Sequence, residues 1–204
     1  MMINRRHMKR RRCSDDSDSD SDEEVENERV KVVGTNVYFY TGVDMESVLE
    51  LNQKLKILEI DLLKKAIDFP GYAPVIKLYI NSGGGDIFAG FSAMDHIINL
   101  GVDVHTIADG QCASAATFIL LGGDHKTINS HAHVLIHQIS SGFWGKFEEM
   151  KDEVKSCERF MEMINKVYKD NTEIPNKKLK ILMKRDVYLT PEECIEYSIV
   201  NDIS

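Results

Sequence analysis

The sequence predicts an α/β fold, a parallel sheet with helices packed against it, on three observations. First, 75–80 (VIKLYI) reads as a strand that runs into Asn81-Ser82-Gly83-Gly84-Gly85-Asp86. A helix with Ile87, Phe88, Phe91, Met94, Ile97 and Ile98 apolar follows it. Second, the order strand, glycine break, helix recurs. Val102, Val104 and Ile107 give strand character and Asp109-Gly110 breaks it; 113–121 is then an apolar helical run stopped by Gly122-Gly123. Two βα units in succession imply parallel strands joined by helical crossovers. Third, 146–170 carries Phe147, Met150, Val154, Cys157, Met161, Ile164 and Tyr168 at alternating spacings of three and four. That seam belongs to one long helix, too long and too charged to be buried within a small domain, and predicts a projecting helix that packs on a partner subunit.

The remaining elements follow in order. The chain has 204 residues, 43% of them hydrophobic, which is enough for one domain with a core. Residues 1–28 are expected to form a disordered tail. They hold a basic cluster at 5–12 and an acidic, serine-rich run at 14–24, and neither can bury apolar surface. The domain is expected over 29–204. Val30, Val32 and Val33, then Val37 to Tyr40, are β-formers split by Gly34-Thr35-Asn36, hence two short strands and a turn. Residues 45–67 place Val48, Leu51, Leu55, Leu58, Leu62 and Ala66 on one helical face, ended by Phe69-Pro70-Gly71. An extended segment is expected over 127–145. A short helix at 179–183 and a strand at 187–189 come next. Thr190-Pro191-Glu192-Glu193 then has the form of a capped helix start, with Pro in the first turn and Glu closing a capping box. A terminal segment follows at Ile199-Val200.

Composition excludes several function classes. The net charge of −8 argues against a general nucleic-acid binder. No apolar run can span a bilayer and no signal peptide opens the chain, so the expectation is a cytoplasmic protein away from membranes. The basic cluster leaves a nuclear address open. Cys13, Cys112, Cys157 and Cys194 are scattered and form no CxxC pair, so neither a zinc site nor a disulfide framework is expected.

The first candidate for chemistry is Ser114, a hydroxyl in the first turn of the second helix, flanked by alanines. A nucleophile there lies next to unpaired N–H groups that can hold an oxyanion, although Ser at a helix start is more often a cap. The glycine run 83–85 admits three readings: a phosphate cradle, a plain tight turn, or backbone donors brought close to an anionic intermediate. The first lacks the Lys-Ser/Thr of a P-loop and places Asp86 where a phosphate would sit. His131, His133 and His137 share parity and would face one way on a single strand. A metal pair there has no third ligand nearby in sequence. His137 ends an apolar run at the mouth of a glycine-containing loop, where sites tend to form. Asp186, after Lys184 and Arg185, is either the carboxylate of a site or half of a surface ion pair.

Four stretches together, YINSGGGDIFAGFSAMD, DGQCASAATFILLGG, VLIHQ and KRDVYLTPEECIEYSIVNDI, resemble the proteolytic subunit of the Clp protease (ClpP) in order and spacing from Arg29 onward. The resemblance implies the ClpP/crotonase-like spiral of βα units with a projecting handle helix, here the one from Lys146. It implies a Ser114–His137–Asp186 triad, an oxyanion hole from the backbone N–H groups of Gly85 and Ala115, and substrate pairing along Gly84, Gln138, Ile139 and Ser140. No cofactor or metal is implied. The implied activity is serine endopeptidase cleavage of unfolded polypeptide inside a homo-oligomer of stacked heptameric rings, fed by a ClpX- or ClpA-like AAA+ ATPase. The chain departs from the family in four places: Gly83 replaces the proline of an SPGG motif, Ala115 replaces a common Met, Lys184 stands where an acidic residue is usual, and the charged tail replaces an apolar axial loop. Three alternatives follow: a catalytically silent ring subunit, a crotonase-type acyl-CoA enzyme, and a maturation protease that cuts a scaffold protein without an ATPase.

Overall fold

The computed structural model describes residues 28–204; the basic and serine-rich runs of the tail lie outside the described residues. Strands β1 (Val30–Val33) and β2 (Asn36–Phe39) form an antiparallel hairpin that turns at Gly34, φ +63°. Parallel pairing then carries β2 to β3 (Val75–Ser82), β3 to β4 (Asp103–Ala113) and β4 to β5 (His125–Ile128). β6 (His133–Leu135) pairs in parallel with the far end of β4 and antiparallel with β7 (Tyr188–Leu189), and β8 (Asp202–Ile203) closes the other edge beside β5. The helices are α1 (Met45–Asp68), α2 (Ile87–Ile98), α3 (Ala116–Leu121), α4 (Phe147–Asn171), α5 (Asn176–Leu182) and α6 (Pro191–Glu196). This is the expected α/β architecture with a long helix, α4, standing off the body.

The helix limits have local causes. Asp44 caps α1 by accepting from Ser47 N at 2.8 Å, while Ser47 Oγ accepts from Asp44 N at 3.0 Å. Val48, Leu51, Leu55 and Leu62 are buried on its inner face, each contributing about 1.5–3 kcal/mol. Thr190 and Glu193 form the predicted capping box of α6. In β3 the pleat buries Ile76, Leu78, Ile80 and Ser82 in alternation.

Three expectations are corrected. The break at Asp109-Gly110 is not an end: β4 continues to Ala113, and α3 shrinks to six residues. Gly110 takes φ +93° within the strand, and a Cβ there would lie 2.9 Å from the Asn81 side chain. The β3–β4 register shifts between Ile80 and Ser82, and Asn81 Oδ1 accepts from Gln111 N at 3.1 Å in place of a ladder bond. The three histidines do not share a strand, because β5 and β6 are separated by a turn. His131 lies in that turn, His133 on β6, and His137 beyond its end. Of the segment expected to be extended over 127–145, only its start in β5 and the three residues of β6 are strand, and β8 lies beyond the buried Ile199-Val200.

The long helix keeps its predicted span but not one environment. Ile164 and Tyr168 are buried against the body, whereas Phe147 is 69% exposed and Met150 and Val154 are also exposed. The apolar seam therefore has an inner half that belongs to this domain and an outer half with nothing on it in the single chain.

Candidate active site

The strand ladder sets out the site. β4 and β6 pair as Gln111↔His133, Cys112↔Val134 and Ala113↔Leu135, and Ser114 N continues the series by donating to Leu135 O at 2.9 Å. Ser114 and Ile136 are thus the next neighbours across two strands that lie roughly 4.8 Å apart, and His137 follows at once. Gln138 N donates to Met183 O at 3.0 Å. That bond ties the chain just past His137 to the end of α5, so the next few residues bring Asp186 into reach. His137 Nδ1 and Asp186 Oδ1 are 3.1 Å apart. With Nδ1–H donating to the carboxylate, Nε2 is left as the acceptor. Asp186 is largely exposed, and among the described residues no hydrogen bond joins the Ser114 hydroxyl to His137.

Ser114 does not lie within the helix, as the sequence suggested. It occupies the turn between β4 and α3 with φ +55°, a left-handed conformation that is about 1–2 kcal/mol unfavourable for a residue with a side chain. The tightness of that turn comes from the glycine run. Gly84, at φ +88°, lies against it so closely that a Cβ would meet Ala113 O at 2.5 Å and Ser114 Cβ at 2.6 Å. Gly85 is clamped on its other side: Val43 N donates to Gly84 O at 2.9 Å, and Asp86 N to Val43 O at 2.7 Å. Asp86 itself caps α2 by accepting from Ala89 N. The phosphate-cradle reading fails here, because the Asp86 carboxylate occupies the helix start. Among the described residues the backbone N–H groups of Gly85 and Ala115 have no partner.

Of the residues expected to pair with substrate, Gln138 and Ile139 have their N–H groups engaged, by Met183 O and by Met161 Sδ (3.3 Å), while Ser140 is free. The main chain over 140–145 makes no hydrogen bond among the described residues, which leaves its N–H and C=O groups open. Beside it a groove of about 700 Å³ runs along α4 between Ile139, Phe143, Val154 and Met161. The buried cysteines are no rival nucleophiles. Burial pushes the Cys112 thiol up and that of Cys194 up to about 12. Among the described residues no three His, Cys, Asp or Glu side chains group as a metal site, and no helix is long and apolar enough to cross a membrane.

Two buried polar residues at the site escaped the sequence reading. Thr117 Oγ1 donates to Ser114 O at 2.6 Å and lies 2.5 Å from Tyr168 Oη. The available signal was a lone Thr within the otherwise apolar run of α3.

The geometry has counterparts. The family model for the Clp protease matches residues 39–204. The chain is 37% identical over 128 residues to the ATP-dependent Clp protease proteolytic subunit of Chlorokybus atmophyticus, covering 62% of this chain and 57% of that protein. It is 38% identical over 127 residues to the subunit of the same name from Adiantum capillus-veneris, covering 61% and 64%. The matched stretch thus spans less than two thirds of the length of these relatives. A ClpP1 variant from Listeria monocytogenes superposes with a TM-score of 0.71 at 25% identity, over 83% of this chain and 91% of that one.

Proposed function

Because this chain belongs to the Clp protease family, we propose that it is a serine endopeptidase subunit that cleaves unfolded polypeptides by acyl transfer. One observation supports the reading: across the β4–β6 ladder the strained Ser114 bonds to Leu135, two residues before His137, whose Nδ1 lies 3.1 Å from Asp186 Oδ1. In this mechanism His137 Nε2 takes the Ser114 hydroxyl proton as the oxygen attacks the scissile carbonyl. Asp186 holds the ring orientation and stabilises the imidazolium. The Gly85 and Ala115 N–H groups receive the developing oxyanion. His137 then returns the proton to the leaving amine, and water hydrolyses the acyl-enzyme by the reverse sequence. Substrate lies as an added strand on Ser140 and the open main chain that follows, with Gly84, Gln138 and Ile139 lining its path. Main-chain pairing of that kind recognises any extended polypeptide.

The peptidase unit is residues 29–204, with 1–28 a tail outside it. The outer half of α4, with Phe147, Met150 and Val154 exposed, fits burial against other subunits in stacked heptameric rings. A closed chamber of that sort restricts entry to unfolded chains, delivered by a ClpX- or ClpA-like ATPase in the cytoplasm.

The test is labelling of the purified full chain with a fluorophosphonate, the adduct mapped by mass spectrometry, alongside Ser114→Ala and His137→Ala. A single adduct on Ser114 that depends on His137 supports the proposal. No adduct, in a sample that light scattering shows to be assembled, refutes it in favour of a silent ring subunit.

A further inference from the structure

The buried pair Thr117 and Tyr168 has no place in the triad chemistry, yet it bonds to the peptide unit that the proposed mechanism uses. Both side chains are essentially without solvent contact, at 0% and 1% exposure. Proton counting fixes the direction of the chain of bonds. Thr117 has one hydroxyl proton, and it goes to Ser114 O at 2.6 Å. The contact at 2.5 Å is then a donation from Tyr168 Oη to Thr117 Oγ1. Thr117 N adds a second bond to the same carbonyl at 3.0 Å. The Ser114 carbonyl therefore takes two hydrogen bonds, one of them from a hydroxyl that is itself polarised by a further donor.

That carbonyl shares a planar peptide unit with the N–H of Ala115. Fixing the C=O fixes the opposite direction of the N–H, and drawing electron density onto the oxygen strengthens the N–H as a donor. The same bonds hold Ser114 in its left-handed conformation, with Ser114 N tied to Leu135 O on the other side. We infer that Thr117 and Tyr168 are positioning residues for the oxyanion hole: they aim and polarise the Ala115 N–H and so link the inner half of α4 to the reacting centre. The inference rests on the acyl-transfer reading above and adds to it two residues that act through the Ser114 main chain rather than on a triad side chain.

The experiment uses the full chain and the fluorophosphonate probe, whose phosphoryl oxygen occupies the oxyanion position. Inactivation rates are resolved into kinact and KI for wild type, Thr117→Val, Thr117→Ser, Tyr168→Phe and the Val/Phe double variant, each with its thermal midpoint. Loss of a whole oxyanion donor lowers rates by about 10²–10³. Weakening one donor is expected to lower kinact about tenfold or more in Thr117→Val and about threefold in Tyr168→Phe, with KI unchanged in both. Thr117→Ser, which keeps the hydroxyl, should recover most of the rate. The double variant should be no slower than Thr117→Val, because Tyr168 acts through Thr117. Wild-type kinact in folded Thr117→Val, a loss confined to KI, or additive losses in the double variant would each overturn the inference. If Thr117→Val does not fold, Tyr168→Phe decides alone, since it removes one oxygen and leaves the ring against Phe118. Wild type labelled at Ser114 with indifferent variants sinks only this inference; an unlabelled wild type sinks the acyl-transfer reading with it.

Discussion

Gly84→Ala tests how the glycine run shapes the Ser114 turn. The substitution adds one carbon at φ +88°, with Ala113 O at 2.5 Å, Ser114 Cβ at 2.6 Å and Ala115 N at 3.1 Å. Gly71→Ala is the internal control: its φ is +91°, but nothing lies within 4 Å of the added carbon. Both variants carry the backbone penalty of a left-handed alanine, about 1–2 kcal/mol. Only Gly84→Ala must also push backbone atoms apart by most of an ångström, and overpacking of that kind adds about 1–3 kcal/mol. At about 2–4 °C per kcal/mol for a domain of this size, Gly71→Ala should lower the thermal midpoint by about 2–8 °C. Gly84→Ala should lower it by roughly 4–20 °C. The displaced atoms are those of Ser114 and Ala115, so fluorophosphonate labelling should fall by at least about a hundredfold in Gly84→Ala, as for a lost oxyanion donor, and stay at the wild-type rate in Gly71→Ala. Equal midpoints and equal labelling in the two variants would refute the claim that Gly84 is held against the Ser114 turn.

Three further outcomes are expected. Asp186→Asn should slow labelling by about a hundredfold, less than the ~10⁴ seen where the orienting carboxylate is buried, because Asp186 is 77% exposed in the single chain; an unchanged rate would remove Asp186 from the site. Asp44→Ala should lower stability by about 1 kcal/mol through loss of the α1 cap. The Ser47 N–H that it accepts holds the Asp44 carboxyl below its ordinary value, so this contribution is present above the unfolded value of about 4 and disappears as pH falls through the folded one. Urea titrations from pH 6 to pH 3 should accordingly show a shallower acid loss in Asp44→Ala than in wild type. Met150→Lys with Val154→Glu alters only exposed positions of α4, so the midpoint of the isolated chain should hold while light scattering shows smaller assemblies.

What could be read from the sequence was whatever rests on neighbours in the chain. The α1 stripe of Val48, Leu51, Leu55 and Leu62, the Thr190–Glu193 cap and the span of α4 all depend on contacts a few residues apart. β4 is the contrary case. Alanine and glycine at Ala108, Gly110 and Ala113 favour a break and a helix, but β3 pairs along one side of this segment while β5 and then β6 take the other. Tertiary pairing overrides propensity there. Ser114 stood out as a hydroxyl at an expected helix start, and His137 and the glycine run because they follow strands. Asp186 stood out only mildly, by its place after two cations: its approach to His137 depends on Gln138 N reaching Met183 O, a bond across the fold that no local pattern announces. Thr117 and Tyr168 were hidden for the same reason, being 51 residues apart in sequence and joined only when α4 docks.

The distance between His137 and Asp186 along the chain has a temporal consequence. Synthesis proceeds from the N-terminus, so Ser114 and His137 leave the ribosome first and the carboxylate follows 49 residues after the histidine. At 5–20 residues per second that interval is about 2–10 s. β7, which pairs with the strand leading to the histidine, arrives with Asp186. A nascent chain thus carries the proposed nucleophile and base, Ser114 and His137, without their carboxylate beside other newly made polypeptide. Under the proposed chemistry, the order of residues along the gene is itself a safeguard against premature cutting.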